Sequence, residues 1–209
     1  NSQDLVDLYG NHISTSYNLN SSDDGWSSNA NFGFTFSRWG NDYTSARMST
    51  NGCVNLYGST KCSDYTPQAL PYRDHTLYPF WTDMIRGTSS SGHQSKMLFK
   101  AFDDYVVFGW YYMREYQRSS SNSFEAILYA NDSYEFRYRE LDIVQHDVLI
   151  GEQGDSNETK TYLFYDDNKN YTTFDAFDAS HDNPIEGGGS LYTGTVSEMC
   201  GINALYSTE

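Results

Sequence analysis

The sequence has little positive charge. Its 209 residues include 13 Lys and Arg against 28 Asp and Glu, which gives a formal net charge of -15 at pH 7. Such an acidic chain repels the phosphates of nucleic acid and the headgroups of anionic lipids. We therefore expect no nucleic-acid partner and no membrane partner. The negative charge either keeps the protein soluble or gives it an affinity for cations.

Long apolar segments and helical periodicity are also missing. No run of about 18 apolar residues is present, so no membrane-inserted helix is expected. No window has the pattern of a long amphipathic helix. Aromatic residues, in contrast, make up 17% of the chain, and they favour half-buried strands. Many short strands joined by turns predict an all-β fold, an antiparallel β-sandwich with long loops.

Catalytic signatures are scarce. The chain has no Gly-x-Ser-x-Gly motif, no phosphate loop and no Cys/His nucleophile arrangement, and its five histidines lack metal-binding spacing. Acidic side chains on predicted strands could still supply a carboxylate pair for glycoside cleavage. These residues are Glu115, Glu125, Glu135, Glu140 and Asp142. Charges that alternate with aromatic residues usually form the solvated face of a strand, so we predict a protein that is not an enzyme.

Cysteine is limited to three residues, Cys53, Cys62 and Cys200. Three cysteines allow one disulfide bond and leave one thiol. We favour a Cys53–Cys62 bond, which would close a short loop, and the alternative is three free thiols in a cytosolic protein.

Four Asn-x-Ser/Thr sequons begin at Asn20, Asn131, Asn157 and Asn170. Together with a disulfide bond, these predicted glycosylation sites favour a secreted protein. The sequence shows no signal peptide or anchor, so we expect a processed or excised domain.

The stretch from Asn31 to Gly58 has the clearest strand pattern. Phe32, Phe34 and Phe36 alternate with small or polar residues, which predicts a strand with one buried face. The pair Asn51-Gly52 suits the positive φ values of a tight turn.

Three later features extend this pattern. The aromatic segment Leu77–Ile85 predicts one central strand entered through Pro79. Its only charged residue, Asp83, is expected either to bond to turn backbone or to serve a ligand or metal. Tight hairpins are predicted at Asp103-Asp104 and at Asn131-Asp132.

A calcium site is one candidate function. Asp166, Asn168 and Asn170 place oxygen ligands on alternate residues, which is the spacing that a calcium loop needs. The position twelve from Asp166 is Phe177 rather than glutamate, so the segment is not an EF-hand. The alternative is a polar turn that carries a glycan on Asn170.

Ligand binding by exposed aromatic residues is a second candidate function. Aromatic side chains on the outer face of a sheet commonly bind sugars and apolar surfaces. The predicted strands and loops carry more of them than one face can bury. We predict ligand contact for four residues: Trp110, Tyr112, Tyr116 and Tyr171. The alternative is a tyrosine-rich core.

The order of these motifs resembles the nidogen-type (NIDO-like) extracellular domain. The similar segments are Phe34–Phe36, Ser49–Gly52, Pro79–Asp83, Phe124–Tyr129, Phe136–Tyr138 and Ile150–Gln153. They cover a core of about residues 30–165, and the extension 166–209 has no counterpart. We expect residues 1–209 to form a single domain.

Finer details are similar to the amino-terminal head of fungal cell-wall adhesins, which hold insect cuticle or plant surfaces. These details are Cys53–Gly58, Phe80–Asp83 and Met199–Ile202. The resemblance implies a non-catalytic head displayed on a glycosylated stalk in the wall, binding a host or substrate surface. The alternatives are a calcium-assisted, lectin-like carbohydrate-binding module, a glycoside-active enzyme and a purely structural wall module.

Overall fold

The computed structural model of the chain describes residues 5–6, 12–13, 23–58, 64–143, 145–155, 160–166 and 203–206. In this part of the chain there are fourteen strands and no helix, and hence no helix that could cross a membrane. In chain order the strands are β1 (Leu5–Val6), β2 (His12–Ile13), β3 (Ala30–Arg38), β4 (Asn41–Met48), β5 (Val54–Asn55), β6 (Thr76–Trp81), β7 (Met84–Ile85), β8 (Lys96–Ala101), β9 (Tyr105–Glu115), β10 (Asn122–Tyr129), β11 (Tyr134–Glu140), β12 (Val148–Gln153), β13 (Lys160–Asp166) and β14 (Asn203–Tyr206).

The strands form two six-stranded sheets and a separate β1–β2 pair. The first sheet has the order β13-β12-β6-β5-β4-β3. The second has the order β14-β11-β10-β9-β7, with β8 also paired to β9. Every described pair is antiparallel, and the two sheets pack face to face. The predicted all-β antiparallel sandwich is confirmed.

The main core lies between the sheets and is largely aromatic. Phe32 and Phe36 of β3 are fully buried and Phe34 is half-buried, as their alternation predicts. Phe32 meets Phe108 of the second sheet edge to face, with ring centroids 6.2 Å apart. Each large side chain taken out of water contributes about 1.5–3 kcal/mol, so this layer is a main source of stability.

The predicted tight turn at Asn51-Gly52 is confirmed. Gly52 has φ +81°, and a Cβ atom there would lie 2.0 Å from the carbonyl oxygen of Phe80. Only glycine fits both the backbone angle and this close approach. The turn therefore lies directly against β6.

The segment Leu77–Ile85 is not one strand, so that prediction is wrong in its extent. The chain leaves β6 at Trp81, crosses between the sheets at Thr82 and Asp83, and pairs in the second sheet as β7. Asn51 holds the crossing, because its carbonyl accepts the Thr82 N–H (3.2 Å) and its Oδ1 accepts the Met84 N–H (2.9 Å).

Pro79 lies inside β6 rather than at its start. The pairing of β6 with β12 shifts register between Leu149 and Gly151, opposite this proline. A bulge tolerates proline because no ladder N–H is needed there. The Pro79 carbonyl accepts the hydroxyl of buried Tyr138 at 2.7 Å, which ties β6 to the second sheet.

Both predicted hairpins are present. Phe102 N–H bonds to the Tyr105 carbonyl across the first turn (2.8 Å), and Tyr129 N–H bonds to the Ser133 carbonyl across the second (2.9 Å). Asp132 takes the positive φ of the second turn, +68°.

Charged residues of the second hairpin were predicted to lie on a solvated face, and the structure buries them. Glu125, Glu135 and Arg137 are all buried. The Arg137 Nε lies 2.9 Å from Glu135 Oε1, and its Nη1 lies 3.9 Å from Glu125 Oε2. Two carboxylates around one guanidinium lower the cost of taking these charges out of water.

Candidate functional site

The four aromatic residues predicted to contact a ligand have different surroundings. Trp110 is fully buried in the core, out of reach of a ligand, so we drop it from the candidate set. Tyr112 is half-buried and stacks on His93, with centroids 4.3 Å apart. Tyr116 is half-buried beside His146, 6.5 Å away. Tyr171 lies outside the described residues.

The predicted calcium loop is described only at its first residue. Asp166 ends β13, opposite Val148. Asn168 and Asn170 lie outside the described residues, so calcium binding there stays a prediction.

The predicted disulfide bond and glycosylation sites are also only partly described. Cys53 is fully buried, while Cys62 lies outside the described residues, and their pairing stays a prediction. Asn131 is exposed at the β10–β11 turn, as a glycosylated residue must be. The remaining sequons lie outside the described residues and stay predictions: Asn20, Asn157 and Asn170.

Exposed aromatic side chains occur elsewhere. Within the described ranges, the two exposed large hydrophobic side chains are Tyr57 (64% exposed) and Tyr65 (60%). The Tyr57 ring stacks on His75, with centroids 4.9 Å apart and planes 20° apart. Trp39 and Tyr43 also contact this histidine, with ring centroids 6.5 and 5.8 Å away. We call these four residues, Trp39, Tyr43, Tyr57 and His75, the aromatic patch.

The ends of neighbouring strands in the first sheet bring the patch together. Trp39 lies in the β3–β4 turn and Tyr43 on β4, while Tyr57 follows β5 and His75 precedes β6. The Leu56 N–H donates to the His75 carbonyl at 2.8 Å, so the segment after β5 is bonded to the one before β6.

A hydrogen bond fixes the histidine that supports Tyr57. The Tyr43 oxygen lies 2.6 Å from Nδ1 of His75. Burial raises the pKa of Tyr43, with smaller contributions from Asp155 and Tyr57. The phenol therefore keeps its proton, and its short contact with Nδ1 holds the His75 ring in place beneath Tyr57.

The backbone of the patch is strained at two residues. Trp39 has φ +50° and His75 has φ +54°, in the left-handed region that large side chains rarely adopt. Each such residue costs on the order of 1 kcal/mol, and strain of this kind concentrates at functional sites. The two strained residues therefore mark this end of the first sheet as a candidate functional site.

Polar side chains border the patch. A Cβ atom on Gly58, the residue after Tyr57, would lie 3.0 Å from Oδ1 of exposed Asn29. That same oxygen accepts a hydrogen bond from Nε of Arg47 at 2.8 Å. Asp155 is exposed and close enough for its charge to raise the pKa of Tyr43. Polar groups therefore lie next to the patch beside Gly58 and near Tyr43.

A second cluster lies where the chain crosses between the sheets. Carboxylate oxygens of Asp23, Asp24 and Asp83 lie within 4.8 Å of one another. Asp24 accepts a hydrogen bond from Nδ2 of Asn51 at 2.8 Å, and His146 Nε2 lies 3.6 Å from Asp83. These three carboxylates have the spacing of cation ligands, but such clusters are common without an ion, and we assign none here.

Burial dominates the electrostatics of this cluster. Burial raises the pKa of Asp83 to about 6. The nearby charge of His146 lowers this pKa, and the negative charges of Asp24, Asp23 and Glu115 raise it further. The sequence predicted that the Asp83 side chain bonds to turn backbone or serves a ligand or metal. The structure places it among the charged side chains of Asp23, Asp24 and His146, and a ligand or metal role stays a prediction.

The carboxylates considered for glycoside cleavage have internal contacts. Glu115 is fully buried and its Oε1 accepts the main-chain N–H groups of Gln145 (2.7 Å) and His146 (2.9 Å). Glu140 accepts the Ser121 hydroxyl at 2.8 Å. Burial raises the pKa of Asp142. Glu125 and Glu135 flank the buried Arg137 as described above.

Sequence reasoning missed the aromatic patch. A signal was available, because Trp39 precedes Gly40 and Tyr57 precedes Gly58, and both glycines have positive φ. An aromatic residue at such a turn lies beyond the strand, where the sandwich does not cover it.

Comparison with known proteins gives one match. A family model described as NIDO related matches residues 7–189, which is most of the chain and extends past the expected core of residues 30–165 at both ends. No curated protein and no solved structure matches the chain.

Proposed function

The chain belongs to the NIDO-related family, and from this premise we propose that it is a non-catalytic adhesion domain of a secreted fungal cell-wall protein. In this role it attaches a cell to a host or substrate surface. The NIDO-like motif order and the details that are similar to fungal adhesin heads support the proposal, as do the predicted glycosylation sites and disulfide bond.

The observation that carries the proposal is the outward-facing ring of Tyr57. It is 64% exposed, although nearly every other large aromatic side chain in the described ranges is at least partly covered. One face packs on His75, so the ring is held in place while its other face meets solvent. A rigid aromatic side chain gives a large contact area for little loss of conformational entropy.

The net charge of the chain indicates which kind of surface the domain would bind. With a net charge of -15, the domain is repelled by anionic surfaces, and repulsion acts before contact. Surfaces without a strong negative charge are therefore the expected targets, and cuticle and plant surfaces are the candidates to test.

The test is attachment of the fluorescently labelled full chain to insect cuticle, plant epidermis and protein-blocked plastic. Native protein should remain on cuticle or epidermis after washing, and Tyr57→Ala should lower the retained amount about tenfold. Tyr65→Ala is the matched control, because Tyr65 is exposed to a similar degree (60%) but lies outside the patch. Retention no higher than on blocked plastic for both natural surfaces would refute the adhesion role.

A further inference from the structure

The patch has a shape that suits a sugar ring. A pyranose has a flat face of C–H groups and carries its hydroxyl groups around the edge. The free face of Tyr57 offers a flat apolar surface of matching size, and no deep pocket is needed to reach it. Binding sites of this type combine an apolar surface with a few placed polar groups.

The segment that carries Tyr57 is ordered before any ligand binds. Gly58 N–H donates to Oδ1 of Asn55 at 2.9 Å, and Nδ2 of Asn55 donates to the Asp74 carbonyl (3.0 Å) and to Thr76 Oγ1 (2.9 Å). Asn55 itself is fully buried. A preorganised segment loses little entropy on binding, so even a single stacked ring can give measurable affinity.

The side chains that border the patch would favour neutral sugars over acidic ones. Asn29 and Arg47 approach the Tyr57 segment from one side, and they offer amide and guanidinium groups to hydroxyls. Asp155 follows Gly154, whose carbonyl accepts the His75 N–H at 3.0 Å, and Asp74 is the exposed residue that precedes His75. Carboxylates accept hydrogen bonds from hydroxyl groups but repel the carboxylate of an acidic sugar.

We propose that the aromatic patch binds a neutral saccharide, with the exposed face of Tyr57 stacked on one pyranose ring and Asn29, Arg47 and Asp155 bonding its hydroxyls. The proposal rests on the proposed adhesion function, because it names the ligand class of the same surface. The proposed contact needs no metal ion, which separates it from a calcium-assisted lectin.

Isothermal titration of the full chain with soluble oligosaccharides tests the inference. The probes are neutral oligomers of glucose, N-acetylglucosamine and mannose, and oligogalacturonate as the acidic probe. At least one neutral oligomer should bind, and Tyr57→Ala should weaken it tenfold or more. Tyr57→Phe, which keeps the ring, and Tyr65→Ala should both leave the Kd within about twofold. EDTA should not change it.

The inference is overturned if no neutral oligomer binds, if Tyr57→Ala binds as well as native protein, or if oligogalacturonate binds more tightly than every neutral probe. Loss of binding in EDTA would also overturn it, by requiring a metal. These failures are distinct from failure of the adhesion role. If Tyr57→Ala abolishes retention on cuticle while no saccharide binds, adhesion stands and only the ligand class is wrong. If a neutral saccharide binds but no surface retains the protein, the saccharide site stands and adhesion fails.

Discussion

Trp110 of β9 donates its indole N–H to the main-chain carbonyl of Ser49, with Nε1 and O 2.7 Å apart. Ser49 begins the turn that follows β4 in the first sheet, so this bond joins the two sheets through the core. The indole also stacks on Phe124, with centroids 4.9 Å apart and planes 15° apart. A residue that the sequence placed at a ligand surface is thus part of the contact between the sheets.

Replacing Trp110 with phenylalanine should remove the hydrogen bond and keep most of the ring packing. We expect the free energy of unfolding to fall by about 0.5–1.5 kcal/mol, because the Ser49 carbonyl loses its indole donor but still accepts the Gly52 N–H at 3.3 Å. Trp110→Ala should cost about 3–5 kcal/mol, since it also leaves a cavity. Urea denaturation followed by circular dichroism measures both values. Equal stability of Trp110→Phe and native protein would contradict a stabilising role for the bond.

Gly52→Ala tests the close approach of the turn to β6. A Cβ atom at this position would lie 2.0 Å from a backbone oxygen of Phe80, which no side-chain rotation can relieve. We expect a loss of about 3 kcal/mol or more in thermal or urea unfolding. Gly40→Ala is the matched control, because Gly40 has a similar φ of +72° but nothing within 4 Å. It should cost only about 1–2 kcal/mol of left-handed strain. Similar losses for the two variants would show that the contact with Phe80 is unimportant.

Asp83 should make stability depend on pH in an unusual direction. Its pKa is raised from the ordinary value of 3.8 to about 6, so between these values the folded chain holds a proton that the unfolded chain has lost. The free energy of unfolding should therefore fall as pH rises from about 4 to about 6 and stay low above that range. The ceiling is about 3 kcal/mol, from 1.36 kcal/mol per pKa unit.

Asp83→Asn removes this dependence, so its unfolding free energy should change less than that of native protein between pH 4 and pH 7. It should also be more stable than native protein at pH 7, where native Asp83 is charged among Asp23, Asp24 and Glu115. Asp103→Asn, at an exposed hairpin turn, is the control and should leave the native slope intact. A slope in Asp83→Asn equal to the native one would show that other groups cause the pH dependence.

Calcium should raise the melting temperature of the chain if Asp166, Asn168 and Asn170 bind it as the sequence predicts. Differential scanning calorimetry with calcium and with EDTA measures the effect, which grows with ligand concentration. Asn168→Ala should abolish the shift, and Asp23→Asn should not. The opposite pattern would place an ion at the cluster of Asp23, Asp24 and Asp83 and would refute the predicted loop.

Local features were predictable from sequence. The alternation of Phe32, Phe34 and Phe36 and the hairpin turn at Asn131-Asp132 depend on neighbours in the chain, and both are present. The division of Leu77–Ile85 between two sheets was not predictable, because its residues read as one continuous strand. Partners distant in sequence, β12 and β9, decide where each half pairs.

The same limit applies to the candidate site. Trp110 and Tyr57 are both aromatic residues in strand-rich segments, and no periodicity tells which one is covered. Trp110 faces the opposite sheet, whereas Tyr57 lies past the end of β5 where no strand covers it.

By itself, the sequence determined an acidic, all-β sandwich with a NIDO-like order of motifs. Turn chemistry, side-chain alternation and composition act over short distances and can be read along the chain. Only the tertiary structure decided that Trp39, Tyr43, Tyr57 and His75 meet at one end of the first sheet, and that Asp83 joins Asp23 and Asp24. These groups come from segments far apart in sequence, and the pairing of strands alone brings them together.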